Sequence, residues 1–305
     1  MAKYLLIDFM NMAFRAHYAY QAQQGFTAPD GMPTGMTYGL LSMTLGLIRD
    51  TQATHVAFAT ESRTRTFNAE IVNDFIASEP TVAAAFPAGY KGDRPEMATA
   101  LRSQLNLAEE ACWAMGWPVY RSEGYEADDT LASLARQAEQ LDHDVIIVTG
   151  DQDLWQCVTN KVSVWQPGKG GIYLAVTPKT LPQFMDGLTA KQIVDYKALA
   201  GDHSDGYPGC PGIGPKGALK LLKEYGTVDD IYGNLDEIKG ATQTKLRDNV
   251  TLVKLSLRLA QLDPLVEVDF VASAGEIKKA YPDSAAIFVK SLGMNSIVRR
   301  IGHTP

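Results

Sequence analysis

The feature that most constrains this chain is the alternation, through its first half, of short apolar runs with longer segments of helical periodicity. Lys3 to Asp8, Thr54 to Thr60 and Asp144 to Thr149 are too brief to be helices, whereas Asn11 to Tyr20, Gly35 to Asp50, Glu96 to Met115 and Glu126 to Leu141 have helical length and pattern. Strands separated by helices of crossover length predict an α/β fold with a parallel sheet flanked by helices, because parallel neighbours need a long return path. After about Thr177 the strand signals fade, and Ala190 to Ala200, Lys216 to Glu224 and Thr242 to Gln261 read as helices. The 305 residues are therefore expected to divide into a sheet domain over 1–180 and a helical C-terminal subdomain over 181–305. Residues 22–34 and 71–95, rich in Gly, Pro and small polar side chains, read as loops, the second long enough to be functional.

In a parallel sheet the ligand crevice lies beyond the carboxyl ends of the strands. Asp8, Glu61 and Asp151 each stand at or just past such an end. Further acids are Glu126, Asp128 and Asp129 at the opening of a helix, Asp153 beside Asp151, and Asp202 with Asp205 in a Gly-bounded segment. Each group alone has a plainer use, since acids in a first helical turn cap N–H groups and loop aspartates make turns. The coincidence of four groups at places the fold would bring together favours a site instead. Nine carboxylates in one crevice repel each other unless cations neutralise them, and hard oxygen ligands suit Mg²⁺ or Mn²⁺.

The formal net charge of −7 argues against a nucleic-acid partner at first sight. Without those nine acids it would be +2, and two divalent cations would add four more positive charges, so the remaining surface is compatible with DNA. No run of roughly 20 apolar residues is present to span a bilayer, and the N-terminus lacks the pattern of a secretory signal, so the expected location is the cytoplasm, that of the host if a phage encodes the chain. Cys112, Cys157 and Cys210 form no CxxC pair. His17, His55, His143, His203 and His303 show neither zinc spacing nor a nucleophile triad.

Five segments in order, Ile7-Asp8 with Phe14-Arg15-Ala16, Tyr90-Lys91 with Arg94-Pro95, Gly124 to Asp129, Gly150 to Asp153, and Gly201 to Lys216, resemble the 5′-nuclease, or flap endonuclease, family. That family includes the 5′→3′ exonuclease domain of bacterial DNA polymerase I and free-standing bacterial and phage enzymes. The resemblance implies a PIN-like sheet, an arch loop at about 71–95, and a helix-hairpin-helix motif of the H3TH type at about 190–224. It implies a two-metal-ion hydrolase that cuts flaps, nicks and overhangs of DNA in replication and repair, leaving a 5′-phosphate and a 3′-hydroxyl, and acts as a monomer.

By the same resemblance Asp8, Glu61, Glu126, Asp128 and Asp151 serve the metal on the scissile phosphate, and Asp153, Asp202 and Asp205 serve the second. Asp129 belongs to the same acidic group. Lys91 and Arg94 are the catalytic cations, Tyr90 is placed to stack on an unpaired base, and Arg15 contacts phosphate. Gly212 and Gly214, followed by Pro215 and Lys216, form a tight turn into a helix N-terminus, a geometry that binds a DNA phosphate. Backbone carbonyls of Leu199, Ala200, Pro208, Cys210 and Ile213 are candidates to hold K⁺. Two departures stand out: Glu61 takes the place of the family's usual Asp, and Ile71 to Gly89 is longer than the usual spacing before Tyr-Lys. The Glu61 departure leaves a DNA-binding homologue with weak catalysis as the alternative reading. An RNA-directed PIN nuclease is disfavoured by chain length and by the glycine hairpin, and a carbohydrate or ester hydrolase needs fewer acids.

Overall fold

The computed structural model describes residues 1–20, 26–86, 89–92, 97–278 and 281–302. Six strands form one sheet in the order β3-β2-β1-β4-β5-β6: β1 (Lys3–Asp8), β2 (His55–Ala59), β3 (Val119–Tyr120), β4 (Asp144–Val148), β5 (Val162–Pro167) and β6 (Tyr173–Val176). The first five neighbours in that order are parallel, and β6 closes the edge antiparallel to β5. The three expected strands are the central ones. The other three were not anticipated, because β3 is two residues long and β5 and β6 mix polar with apolar positions, which mutes their periodicity.

The order has a physical consequence at β1. The chain winds from β1 outward through β2 to β3, then crosses back to β4 on the other side of β1, so the β1–β4 pair is the point where the winding reverses. At such a point the connections after the two strands depart to opposite faces, leaving a crevice at their carboxyl ends. Asp8 ends β1, and Asp151 follows the end of β4 at Val148.

The helices that cover the sheet follow from side-chain alternation along the strands. Leu5, Ile7, Val56, Phe58, Ile146 and Val148 point to one face, and Tyr4, Leu6, Ala57, Ala59, Val145 and Ile147 to the other. Both faces being apolar, both must be covered. The first is packed by α1 (Phe9–Tyr20), α2 (Gly35–Thr51) and, beyond α3 (Phe67–Ser78) and α4 (Pro80–Ala85), by α5 (Thr99–Ala114). The second is packed by α6 (Ala127–Gln140) and the short turn Asp153–Cys157.

After β6 the chain becomes helical: α7 (Leu181–Phe184), α8 (Ile193–Ala200), α9 (Pro215–Tyr225), α10 (Val228–Gly233), α11 (Ala241–Asp248) and α12 (Val250–Ala260). These enclose a core of their own around Leu199, Ile213, Leu222, Ile231 and Val253. The expected single helix Thr242 to Gln261 is broken at Asn249, whose side chain donates to the Lys245 carbonyl and caps the first piece. Two last helices, α13 (Asp283–Ser291) and α14 (Asn295–Ile301), return to the first sheet face, where Val289 and Ile297 are fully buried beside the α2 and α5 side chains. Among the described residues no helix is long and apolar enough to cross a membrane.

One expectation needs correction. The stretch 71–95, read as loop, is helical over α3 and α4, with Thr66 capping the first and Pro80 opening the second. Val72 and Phe86 are buried against Leu252, Leu255 and Leu259 of α12 and Val194 of α8, so the segment bridges the sheet layer to the helical part. Ala, Pro and short polar residues masked an apolar stripe whose partner lies some 180 residues downstream.

Between α12 and α13 the chain runs back across the amino ends of the strands, where the Val56 N–H donates to the Gly275 carbonyl and the Ile277 N–H to the Thr54 carbonyl. Gly275 has φ +71°, and a Cβ built there would lie 1.9 Å from the Val56 oxygen. Gly275→Ala is therefore expected to cost about 3 kcal/mol, seen as a lower urea midpoint with unchanged m-value. A midpoint within error of the parent would contradict the close approach.

Candidate metal centre

At the carboxyl end of β1 and β4 lies a cavity of about 570 Å³ lined by Asp8, Glu61, Glu126, Asp128, Asp151, Asp202 and Asp205, with Asn11, Lys91, Lys197 and Ser204 among them. The sheet brings in three of these acids through successive strand ends, α6 brings in two from its first turn, and the loop after α8 brings in two more. One carboxylate oxygen from each of Asp128, Asp151 and Asp153 falls within 4.8 Å of the others, a spacing at which three acids can share one cation.

Asp8 is held by short-range hydrogen bonds: its Oδ1 accepts from the Asn11 N–H at 3.0 Å and its Oδ2 from the Thr149 hydroxyl at 2.9 Å. Thr149 Oγ1 also accepts the Asp151 N–H at 3.0 Å, so one hydroxyl fixes both strand ends. Asp151 Oδ1 in turn accepts the Asp153 N–H at 2.9 Å. Gly150, between them, packs so closely on the Asn11 side chain that a Cβ would lie 2.7 Å from its amide nitrogen.

Burial is the dominant force on these groups. It pushes the Asp8 carboxyl up to about 6, against the two hydrogen bonds, and the neighbouring Asp151 and Glu61 charges add to the rise. Asp128 is raised further, by burial first and then by Glu126 and Asp129. Asp205 is raised by burial while Lys91 pulls it down. Asp202 moves the other way: burial would raise it, but Lys197 and Ser204 outweigh burial and leave it below the usual carboxylate range.

Two lysines partly neutralise the cluster. Lys91 Nζ lies 2.8 Å from Glu126 Oε2 and 3.5 Å from Asp205 Oδ1, with all three side chains largely buried. Burial would lower its ammonium, yet the Glu126, Asp205 and Asp128 charges dominate and hold it above the ordinary lysine value. Its backbone is left-handed at φ 52°, unusual for a lysine, and is secured by an N–H donated to the Asp205 carbonyl at 3.3 Å. Lys197, from α8, donates to Asp202 Oδ2 at 2.7 Å and pairs with Asp153 Oδ1.

Sequence reasoning missed Lys197, although a signal exists. In Ile193–Ala200 the buried positions include Ile193, Val194, Lys197 and Ala198, so a lysine stands on the core face of its helix, where it needs a buried counter-charge. Asn11 and Thr149 were missed as well; neither residue type signals a role unless its carboxylate partner is known.

The other expected site residues separate. Asp129 does not join the cavity: its Oδ1 accepts the Asp263 N–H at 2.8 Å and its Oδ2 the Glu126 N–H at 3.3 Å, so it closes the capping box of α6 and ties down the return from α12. Arg15 is drawn away to the Gly168 carbonyl at the β5–β6 turn. Tyr90 is turned inward, its hydroxyl donating to Glu126 Oε2 at 3.2 Å and the Lys91 ammonium 5.1 Å from its ring centre. Arg94 lies outside the described residues.

Residues 3–184 match the family of the 5′-3′ exonuclease N-terminal resolvase-like domain, and residues 188–283 that of the 5′-3′ exonuclease C-terminal SAM fold. The chain belongs to the 5′-3′ exonuclease family. It is 34% identical over 262 residues to the 5′-3′ exonuclease of Bacillus subtilis (strain 168), covering 85% of this chain and 83% of that protein. It is also 34% identical over 259 residues to DNA polymerase I of Mycobacterium leprae, where the match covers 85% of this chain and 27% of the relative. The chain thus spans about a quarter of the polymerase's length. In fold it is similar to the bacteriophage T5 D15 flap endonuclease solved with DNA and metal ions, with a TM-score of 0.64 at 19% identity over 98% of this chain and 97% of that one.

The exonuclease SAM-fold portion contains the glycine hairpin. Gly212, at φ +83°, turns the chain, and Gly214 with Pro215 opens α9. Lys245 Nζ donates to the Gly212 carbonyl at 2.8 Å, pinning the turn to α11. Lys216, in the first turn of α9, is exposed. Of the five carbonyls considered for K⁺, those of Leu199 and Cys210 already accept N–H groups, from Cys210 and Ile213, each at 2.9 Å. Gly201 and Gly209 let the two ends of this loop touch: a Cβ on Gly209 would lie 2.3 Å from the Gly201 nitrogen.

If the buried acids await a cation, removing one charge should ease the metal-free protein. Asp128→Asn is expected to raise the melting temperature in EDTA, by about 1 kcal/mol of stability, and to abolish the further rise that Mg²⁺ gives the parent. A lower melting temperature in EDTA, or an undiminished Mg²⁺ response, would contradict this account.

Proposed function

We propose that the chain hydrolyses phosphodiester bonds in 5′-ended and branched DNA, as a 5′-flap endonuclease and 5′→3′ exonuclease that removes flaps and primers in replication and repair. The observation that carries this reading is the carboxylate crevice at the β1–β4 switch point, where seven acids line one cavity, more than their local hydrogen bonds require, in a chain of the exonuclease family. The donor set is all oxygen, which suits Mg²⁺, with Mn²⁺ as a substitute. Asp8, Glu61, Glu126, Asp128 and Asp151 would hold the ion at the scissile phosphate, and Asp153, Asp202 and Asp205 a second. Such a pair of ions supplies water activation and leaving-group stabilisation at phosphorus.

The protein's own groups supply the rest. Lys91, fixed by strained backbone and by two carboxylates, is a cation set in a low-dielectric cavity, where it stabilises charge that grows on the phosphoryl oxygens; Arg94 would act with it. Lys197 holds Asp153 and Asp202 in place and keeps the second group of acids from repelling itself apart. The hairpin at Gly212 and Gly214 with Lys216 would grip duplex phosphates away from the cut, and the loop carbonyls of Leu199, Ala200, Pro208, Cys210 and Ile213 would be the ones to hold K⁺. Tyr90, packed on Lys91 and Glu126, orders the loop that carries both lysine and DNA contacts, and Arg15 anchors the β5–β6 turn beside the crevice. The nuclease layer spans 1–180 and the helical part begins at 181; the enzyme acts as a monomer.

The direct test is cleavage of a 5′-labelled flap duplex with Mg²⁺ and with EDTA. Mg²⁺-dependent release of the flap, yielding a 5′-phosphate on the remaining strand, is expected; binding without cleavage would overturn the assignment. Asp151→Asn should lower turnover by about a hundredfold or more while the far-ultraviolet spectrum and DNA affinity stay near the parent's. Lys91→Ala should reduce kcat more than it raises KM, and the opposite pattern would reduce Lys91 to a phosphate contact.

A further inference from the structure

A second cavity shares part of its lining with the metal cavity. A groove of about 690 Å³ is lined by Met10 and Glu61, which it shares with the metal cavity, and by Arg63, Met97, Arg102, Asn106 and Trp113. None of the other cavities described shares a lining residue with the metal site.

The groove lies on a definite side. Across the sheet, Asp151, Asp8 and Glu61 follow the strand order β4, β1, β2, so Glu61 forms the rim toward β3. The helix α8, with the hairpin that follows it, packs on the turn after β4, on the other rim. A duplex gripped by the hairpin therefore approaches the cavity from the β4 side, and whatever continues past the cut departs on the β2–β3 side, where the groove begins.

Its wall has the chemistry of a nucleic-acid strand. Arg102, Asn106 and Trp113 recur at intervals that place them on one stripe of α5, a run of about 16 Å from the 1.5 Å rise per helical residue. Trp113 is 54% exposed, a costly position for a large apolar ring, and a flat surface on which a base can stack. Arg121 is spent on structure, since its guanidinium pairs with Glu109 at 3.0 Å and donates to the Glu61 carbonyl. Arg63 and Arg102 are exposed and have no hydrogen-bond or ion-pair partner among the described residues. Glu61, Glu109 and Glu110 also line the groove, with Glu109 held by Arg121; the two arginines that make no ion pair among the described residues, beside an open aromatic ring in a groove that shares lining with the metal cavity, fit the phosphates and bases of single-stranded DNA.

We propose that this groove is a binding subsite for the displaced 5′ strand, with Arg63 and Arg102 neutralising its phosphates and Trp113 stacking on a base. The inference rests on the proposed 5′-nuclease activity and adds the path of the strand beyond the cut. The subsite favours substrates whose 5′ strand is long enough to reach α5, and it is indifferent to the removal of a single nucleotide at a nick.

The test compares two labelled substrates, a nicked duplex and a duplex carrying a flap of about ten nucleotides, with the full chain in Mg²⁺. Trp113→Ala and the double variant Arg63→Ala/Arg102→Ala are each expected to lower kcat/KM on the long flap by about tenfold and to leave the nick rate at the parent value, which also reports correct folding. In the double variant the slope of log KM against log salt, measured on the long flap, should fall by about 0.7 per lost phosphate contact. Equal losses on both substrates, or no loss on the flap, would overturn the proposal. If the parent cuts neither substrate, the nuclease reading itself fails, an outcome distinct from either of these.

Discussion

Mutual repulsion among carboxylates withdrawn from water governs this structure. Seven acids line one cavity, and burial raises Asp8, Asp128 and Asp205 because the protein has removed the water that would otherwise screen them. Such a cluster is tolerable only with positive charge inside it. Lys91 and Lys197 provide part of that charge, and they come from segments far apart in sequence. Neither belongs to the sheet that carries the first acids, so the site is complete only when the helical part and the segment leading to Lys91 have both docked.

That docking is apolar, and it couples the site to the fold. α3 and α4 rest on α12 and α8 through Val72 and Phe86, and Tyr90, next to Lys91, packs against the same apolar cluster. The return from α12 is fastened by the Asp263 N–H on Asp129 and by the Asp263 carbonyl on the Ser133 hydroxyl. Asp129 thus helps the cluster indirectly: it anchors the chain that brings α12, and with it the seat of α3 and α4, against α6. A substitution in this interface acts on Lys91 without touching it.

The crevice also has two ends of different character. Toward β4 stand the hairpin glycines, a helix N-terminus and the lysine-bearing α9, features that suit a stiff duplex backbone. Toward β3 stand exposed arginines and an uncovered tryptophan, features that suit a flexible strand whose bases are unpaired. The carboxylate cluster lies between these two ends.

Much of this was legible in the residues. The apolar runs ending in Asp8 and Val148, the helical periods between them and the acids just past the strand ends pointed to a parallel sheet with a crevice, because burial on both faces leaves an unbroken apolar signature that survives in sequence. The convergence of Asp8, Glu61, Glu126, Asp128, Asp151, Asp202 and Asp205 followed from that topology. The strands β5 and β6 were not legible, since an edge with one wet face loses its pattern, and neither were α3 and α4, whose apolar stripe has meaning only against α12. Tertiary structure alone decided which acid faces the crevice and which does not: Asp128 and Asp129 are adjacent in sequence, but one turn of helix directs the first inward and the second to a backbone N–H of residue 263. It alone also showed Lys197, because a buried charge is explained by its partners, and those partners are set by distances in space that no local pattern records.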